Sequence, residues 1–391
     1  MTDPSSDSRP TANPVKVWMV CTGVGIMNRG IESFFRDCFD GLHPMAAANG
    51  IKLELLKGRG PEGPDERMVW CLNRTGKLAR LLGFAIHRNG YVIEQLSSVI
   101  PILRRIRRER PDVILYSDCN LAMRLYAYRP MVGVPFRLIY SNGAPLHPPF
   151  SRCDHVQQVH PFYLREALDA GEEPSRHSLV PYGFSIPTGT ADFDPKFRAI
   201  AREELNLPKD RPIVLSVGWI SGFHKRMDYL ISEIARLPQP RPYLVMLGAM
   251  DEQTPPIIRQ ANEALGSENF TARSVPYEQV NRYYQAADVF ALASLVEGFG
   301  RVYVEALMHG LPCAVNDHPI MQYILAEEGT YGDFSQPGVL AGMLSTLLAQ
   351  PLDPLAMARR RETMRRRFSW ESVAGDYFRM FKTAAAHTVS P

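Results

Sequence analysis

The 391-residue chain has no apolar run of the length that spans a membrane. It has no Cys-x-x-Cys pair. Its six cysteines, Cys21, Cys38, Cys71, Cys119, Cys153 and Cys313, are scattered, a pattern of reduced, mostly buried thiols rather than of a disulfide frame. Net charge is nearly absent. A formal +3 is too small to argue for a nucleic-acid partner. The opening stretch, MTDPSSDSRPTANP, lacks a basic-then-apolar leader and reads as a disordered tail on a cytoplasmic protein. No fixed-period repeat is visible. What remains is ordinary globular composition, 45% hydrophobic and 22% charged, on a chain longer than one usual core. Two domains are therefore expected.

Short apolar or β-branched runs alternate with helical patterns. VKVWMV (15–20), IKLELL (51–56), VILYS (113–117), FRLIYS (136–141), HVQQV (155–159) and SLVPY (178–182) read as strands. A polar, Pro-rich crossing with one helical piece follows. The rhythm restarts with PIVLSVG (212–218), PYLVMLG (242–248), FTARS (270–274), VFALAS (289–294) and PCAVND (312–317). An amphipathic segment, WESVAGDYFRMFKTA (370–384), comes last. The pattern predicts two doubly wound α/β domains in tandem, facing each other across a cleft. In such sheets ligands bind beyond the carboxyl ends of the strands.

The densest chemistry lies in EGFGRVYVEALMHG (297–310). A loop closes the strand before it, and a helix runs from about Arg301 to His309. The helix N-terminus offers free N–H groups and a dipole that favours an anion. Gly298 and Gly300 let the main chain approach a ligand. Glu297 cannot serve the same anion, so it should meet hydroxyls. Glu305, a little over a turn into the helix, can accept from a second diol. Two diols with an anion between them describe a nucleotide sugar. The plainer alternative is a solvated glutamate pair around an ordinary turn. A glycosidase acid and nucleophile is a sharper rival. It fails because both acids belong to one loop and helix rather than flanking a bond from two sides.

ADVFALASLVEGFGRVYVEALMHGLPCAV resembles the signature of the retaining GT-B glycosyltransferases of glycosyltransferase family 4, with Glu297 and Glu305 as its E-x7-E pair. PYEQVNRYYQAAD, VLSVGWISGFHKRMDYLISEI, LVPYGFSIP and RFSWESVAGDYFRMF resemble further parts of that family. The likeness is strong in the second half and thin in the first. It implies an N-terminal Rossmann-like acceptor domain over 15–185, after a tail at 1–14. A crossing at 186–210, a nucleotide-sugar domain over 211–368 and a C-terminal helix and tail at 369–391 would follow. It implies that Glu297 holds the sugar hydroxyls and Lys225 the leaving diphosphate. The main chain of Phe299, Gly300 and Arg301 would meet that diphosphate, Glu305 the ribose, Val275 the base, and Gly30 the phosphate from the other domain. It implies same-face attack with retention, no cofactor and no metal. Asp192-Phe193-Asp194 is then a chance D-x-D match in the crossing.

Three positions depart from the family. Trp219 stands where an arginine is usual, and Arg29 stands where one of two glycines is usual. One reading is that the two changes compensate, with Arg29 gripping the diphosphate from the first domain and Trp219 packing beside the donor. The plainer one is that Arg29 is a solvated loop residue and the family's arginine is simply missing. The N-terminal catalytic-region histidine is not in its place. Asn142 lies near that place, and His147 follows in a proline-rich loop. These departures keep open a second reading, a GT-B nucleotide-sugar-binding protein without turnover. The acceptor is not readable. GKLARLLGFAIHRNG (76–90) mixes basic and apolar residues. It is read as a domain helix with a solvated basic side, the alternative being peripheral contact with an anionic membrane. RRIRRER and RRRETMRRR are read as solvated helix faces.

Overall fold

The computed structural model describes residues 13–27, 30–143 and 146–386. Arg29 and all but the last two residues of the N-terminal tail lie outside them.

Two parallel sheets form the frame. The first contains β1 (Val15–Cys21), β2 (Ile51–Lys57), β3 (Glu66–Met68), β4 (Val113–Tyr116), β5 (Arg137–Asn142), β6 (His155–Gln158) and β7 (His177–Leu179). Their spatial order is β3-β2-β1-β4-β5-β6-β7. The second contains β8 (Ile213–Val217), β9 (Tyr243–Leu247), β10 (Phe270–Arg273), β11 (Val289–Leu292), β12 (Cys313–Asn316) and β13 (Gly329–Gly332), in the order β10-β9-β8-β11-β12-β13. Every strand pair is parallel, as in β1 with β2 and β8 with β11. Strands such as β1 and β11 are apolar and buried on both faces, which suits a sheet covered by helices on both sides.

The first unit carries α1 (Gly30–Ala46), α2 (Lys77–Ala85), α3 (Gly90–Glu109), α4 (Cys119–Val132) and α5 (Pro161–Asp169). α6 (Pro195–Glu204) lies in the crossing. The second unit carries α7 (Met227–Ala235), α8 (Thr254–Leu265), α9 (Tyr277–Ala286), α10 (Arg301–Met308), α11 (Pro319–Leu325), α12 (Val339–Leu348) and α13 (Pro354–Phe368). α14 (Trp370–Ala386) ends the described chain. Local signals explain several starts. Asn89 accepts from the Val92 N–H to cap α3. α5 and α11 each begin with proline behind a histidine cap, His160 and His318, which accept from the N–H groups of Phe162 and Ile320.

Strand order reverses between β1 and β4, and again between β8 and β11. Loops leaving such a point diverge and open a crevice. A single apolar core joins the two units. Phe299 of the second packs on Tyr182 at 4.9 Å and on Phe368 at 5.7 Å between ring centres.

The structure adds to or departs from the sequence reading in four respects. β7 stops at Leu179, because Pro181 has no N–H to extend the ladder. β3 and β13 carried no strand pattern, and exist through pairing with β2 and β12. The segment 76–90 is broken: α2 ends at Ala85, and His87 turns the chain with a φ of 52° before α3. Finally, α14 returns to the first sheet. Tyr377 accepts from Gln157 of β6 at 2.9 Å. The Trp370 ring lies against Gly41 and Gly183, where an added Cβ would come within 2.3 and 2.2 Å of it.

Candidate functional site

The loops after β8 and β11 meet at the switch point of the second sheet. Lys225 lies in the first loop and donates from Nζ to Glu297 Oε1 in the second, at 2.5 Å. Both side chains are largely buried, at 17% and 8% exposure. The Lys225 stem runs over Gly218, so that a Cβ there would stand 3.2 Å from it. Gly300 caps α10 with a φ of 73°, and a Cβ on it would strike the Tyr303 ring at 2.6 Å. Only glycine suits that corner. One turn on, Glu305 is buried. It accepts from Tyr284 at 3.1 Å and from Tyr277 at 3.3 Å. Burial pushes its carboxyl up from the ordinary value.

The Arg301 side chain leaves this loop for the first domain. It pairs with Asp37 of α1 and lies 4.7 Å over the Phe184 ring. Burial works against its charge, and Asp37 and Glu305 more than offset that. His160 approaches the same loop from the end of β6. Burial and nearby His318 push it down to about 4, against the opposing pull of the Gly298 carbonyl. It is therefore neutral at neutral pH.

A second polar cluster occupies the switch point of the first sheet. Thr22 follows β1 and Asp118 follows β4. Arg74 donates to both oxygens of Glu94, at 2.9 and 2.6 Å, and to Glu32 at 3.1 Å. Thr22 donates to Glu94 at 2.9 Å. Tyr91 donates to Asp118. All but Tyr91 are buried. Three carboxyls thus face one guanidinium. Asp118 is pushed up to about 6 by burial, with Glu32 adding to the effect and the Tyr91 hydroxyl opposing it. These residues come from five chain segments with no motif between them, and sequence reasoning missed all of them.

Residues 197–365 match the family Glycosyl transferases group 1. That segment of the chain is similar to the group 1 glycosyltransferases. It is 28% identical over 213 residues to a D-inositol 3-phosphate glycosyltransferase of Xylanimonas cellulosilytica, covering 52% of this chain and 50% of that one. The chain thus spans about half the length of the curated relatives it matches. Sucrose-phosphate synthase of Thermosynechococcus elongatus superimposes with a TM-score of 0.69 at 18% identity, over 94% of this chain and 98% of that one. HepE of Anabaena, solved in complex with UDP-glucose, superimposes with a TM-score of 0.70 at 14% identity, over 95% and 100%. The fold is GT-B.

Glu297, Lys225, Phe299, Gly300, Arg301 and Glu305 gather at one switch point. Trp219 is half-buried just beyond β8, and Val275 is half-buried just beyond β10. Gly30 opens α1 with nothing within 4 Å of an added Cβ. Asn142 is different. It is fully buried, and its amide is engaged inside its own domain. It accepts from the Leu146 N–H at 2.9 Å and donates to Gln158 at 3.0 Å and to the Leu146 carbonyl at 3.3 Å. Both of its N–H donors and one acceptor position are thus used within the domain, which sets it apart from the expected catalytic placement. His147 faces solvent and pairs with Glu166 at 2.7 Å. Asp192 is held by two Arg361 nitrogens at 2.7 and 2.6 Å, and Asp194 caps α6 by accepting from the Lys196 N–H at 3.0 Å. Among the described residues no helix is long and apolar enough to cross a membrane.

The acid-rich cluster carries a pH prediction. In the folded protein Asp118 is held well above the ordinary aspartate value of 3.8. Its ionised form therefore weakens the fold above about pH 6, and stability returns as the pH falls toward 4 and the folded state takes up the proton first. Asp118→Asn keeps an acceptor for Tyr91 and removes that charge. It should be more stable than the parent at pH 8 by up to about 2–3 kcal/mol. The gain should close between pH 6 and 4 in denaturant titrations. A difference that stays constant with pH would rule out this assignment.

Proposed function

We propose that the protein is a retaining glycosyltransferase that moves a hexose from a nucleotide-diphosphate sugar to an acceptor hydroxyl. The observation that carries this reading is the Lys225–Glu297 pair beside the N-terminus of α10. A sugar diphosphate asks for a cation and a hydroxyl acceptor side by side, and the pair supplies both from adjacent loops. When donor enters, Lys225 turns to the diphosphate and Glu297 to the sugar hydroxyls. The main chain of Phe299, Gly300 and Arg301 donates to phosphate oxygens. Glu305 exchanges its Tyr277 contact for the ribose, Val275 meets the base, and Trp219 packs beside the donor.

The acceptor oxygen then attacks from the face the diphosphate leaves. The bond from the sugar to the phosphate oxygen breaks, the glycosidic bond forms, and a phosphate oxygen takes the acceptor proton. Lys225 and the helix N-terminus meet the charge that grows on the leaving group, so the step runs without a metal ion. Gly30 approaches the phosphate from the first domain, and peripheral contact through 76–90 brings the enzyme to the inner face of a membrane. HepE of Anabaena, which shares the fold, holds UDP-glucose in its solved structure, and this supports a nucleotide-sugar donor.

Thermal shift against UDP-, GDP- and ADP-sugars tests the reading. The right donor at a hundred times its Kd should stabilise the protein by about 2.7 kcal/mol, and transfer should persist in EDTA. A shift with no donor overturns it. A shift without turnover supports a nucleotide-sugar-binding protein instead. Loss in EDTA restored by manganese overturns the metal-free step.

A further inference from the structure

We infer that His160 is a clamp on the donor loop from the opposite domain: its Nε2–H donates to the Gly298 carbonyl when a bound diphosphate draws the loop inward. This rests on the donor reading proposed above and adds a positioning residue to it.

His160 follows β6 and caps α5. Its Nδ1 accepts from the Phe162 N–H at 3.2 Å. A neutral imidazole that accepts at one nitrogen carries its proton on the other, so the cap leaves Nε2–H as a donor. The side chain is fully buried, and among the described residues Nε2 has no hydrogen-bond partner. A buried N–H without a partner destabilises the state that contains it, so a second state that supplies one is favoured. His318 makes the same cap on α11 but is only half-buried, so solvent can serve its other nitrogen. The cap alone therefore does not account for the burial of His160.

The surroundings name the partner. The Gly298 carbonyl, in the loop after β11, is near enough to pull on the ring, though outside bonding geometry. Neighbouring rings hold the imidazole. Tyr163 stands 4.2 Å from it and Tyr323 of α11 6.4 Å, between ring centres. With the ring held, it is the loop that must close the gap. Leu295 and Val296 at the start of that loop are exposed, and Gly298 has no side chain to anchor it. The consequence for the donor lies in one peptide unit. The Gly298 carbonyl and the Phe299 N–H share a planar trans peptide and point in opposite directions. Holding the carbonyl toward His160 aims the N–H the other way, toward the diphosphate. Left unheld, a peptide after glycine can turn and set the carbonyl oxygen against the phosphate charge.

Two substitutions separate the clamp from the cap. His160→Asn keeps a capping acceptor and loses the distal N–H. His160→Gln loses the cap and keeps an N–H at the reach of Nε2. Each is titrated with the sugar nucleotide that stabilises the parent and with the matching nucleoside diphosphate. His160→Asn should melt within about 1 °C of the parent. It should raise the Kd of both ligands about tenfold, the scale of one hydrogen bond made only in the bound state. His160→Gln should melt about 2–4 °C lower and keep both Kd values within about threefold. A residue that serves only as a helix cap cannot give this crossed pattern. Affinity losses that follow the melting temperatures overturn the clamp. So does a loss confined to the sugar nucleotide, which would put Nε2 on the sugar instead of the loop. If both variants bind like the parent, the clamp falls and the transfer reading stands. If the parent binds no donor, both fall.

Discussion

Glu297→Ala is expected to lower the transfer rate by about two to three powers of ten while the protein still folds and still binds donor. That is the scale of losing one preorganised contact made to the reacting sugar. Glu297 is buried and, among the described residues, accepts its hydrogen bond from Lys225. The two side chains hold each other in place. In the proposed reaction donor would separate them, and each would then meet its own half of the sugar diphosphate. Glu305→Ala provides the contrast. A ribose contact persists from bound donor to transition state, so its loss should raise the donor Kd and leave turnover at saturation within a few-fold. If Glu305→Ala lowered turnover and left donor affinity intact, the roles given to the two acids would be wrong.

Arg301→Ala is expected to destabilise the protein by about 3–5 kcal/mol, the cost of leaving a buried charge pair half empty. Asp37 and Glu305 are both pushed up by burial, and both have Arg301 as a partner that holds them down. Without the guanidinium two carboxyls on different domains face each other unpaired. At roughly 2 °C per kcal/mol for a chain of this size, the melting temperature should fall by about 5–10 °C. Asp37→Asn with Arg301→Met should lose less than Arg301→Ala alone, since it removes charge from both sides. A fall of less than a degree for the single variant would mean the pair behaves as a solvated surface contact, worth about 1 kcal/mol or less.

The sequence by itself determined the two-sheet frame, because strands buried on both faces must be continuous apolar runs and helices must interrupt them. It also marked the loop and helix of the second unit on which the candidate site is built. Glu297, Gly298, Gly300 and Glu305 lie within nine residues, and a glycine corner before a helix states its own backbone geometry. Lys225 was legible through its place after β8. What needed long-range contact was not legible. β3 and β13 are strands because a neighbour pairs with them. Arg301 looked like a main-chain contact until α1 brought Asp37 to its side chain. Asn142 was an open candidate until Gln158 and Leu146 took its amide. The Thr22, Glu32, Arg74, Glu94 and Asp118 cluster has no spacing to read, since parallel strands bring residues from distant segments to one sheet edge. Which way α2 faces was also decided only by packing. Periodicity marks an apolar stripe on a helix, but whether that stripe meets a core or the outside depends on what the rest of the chain places beneath it, and beneath α2 the close approach leaves room only for Ala79 and Gly83.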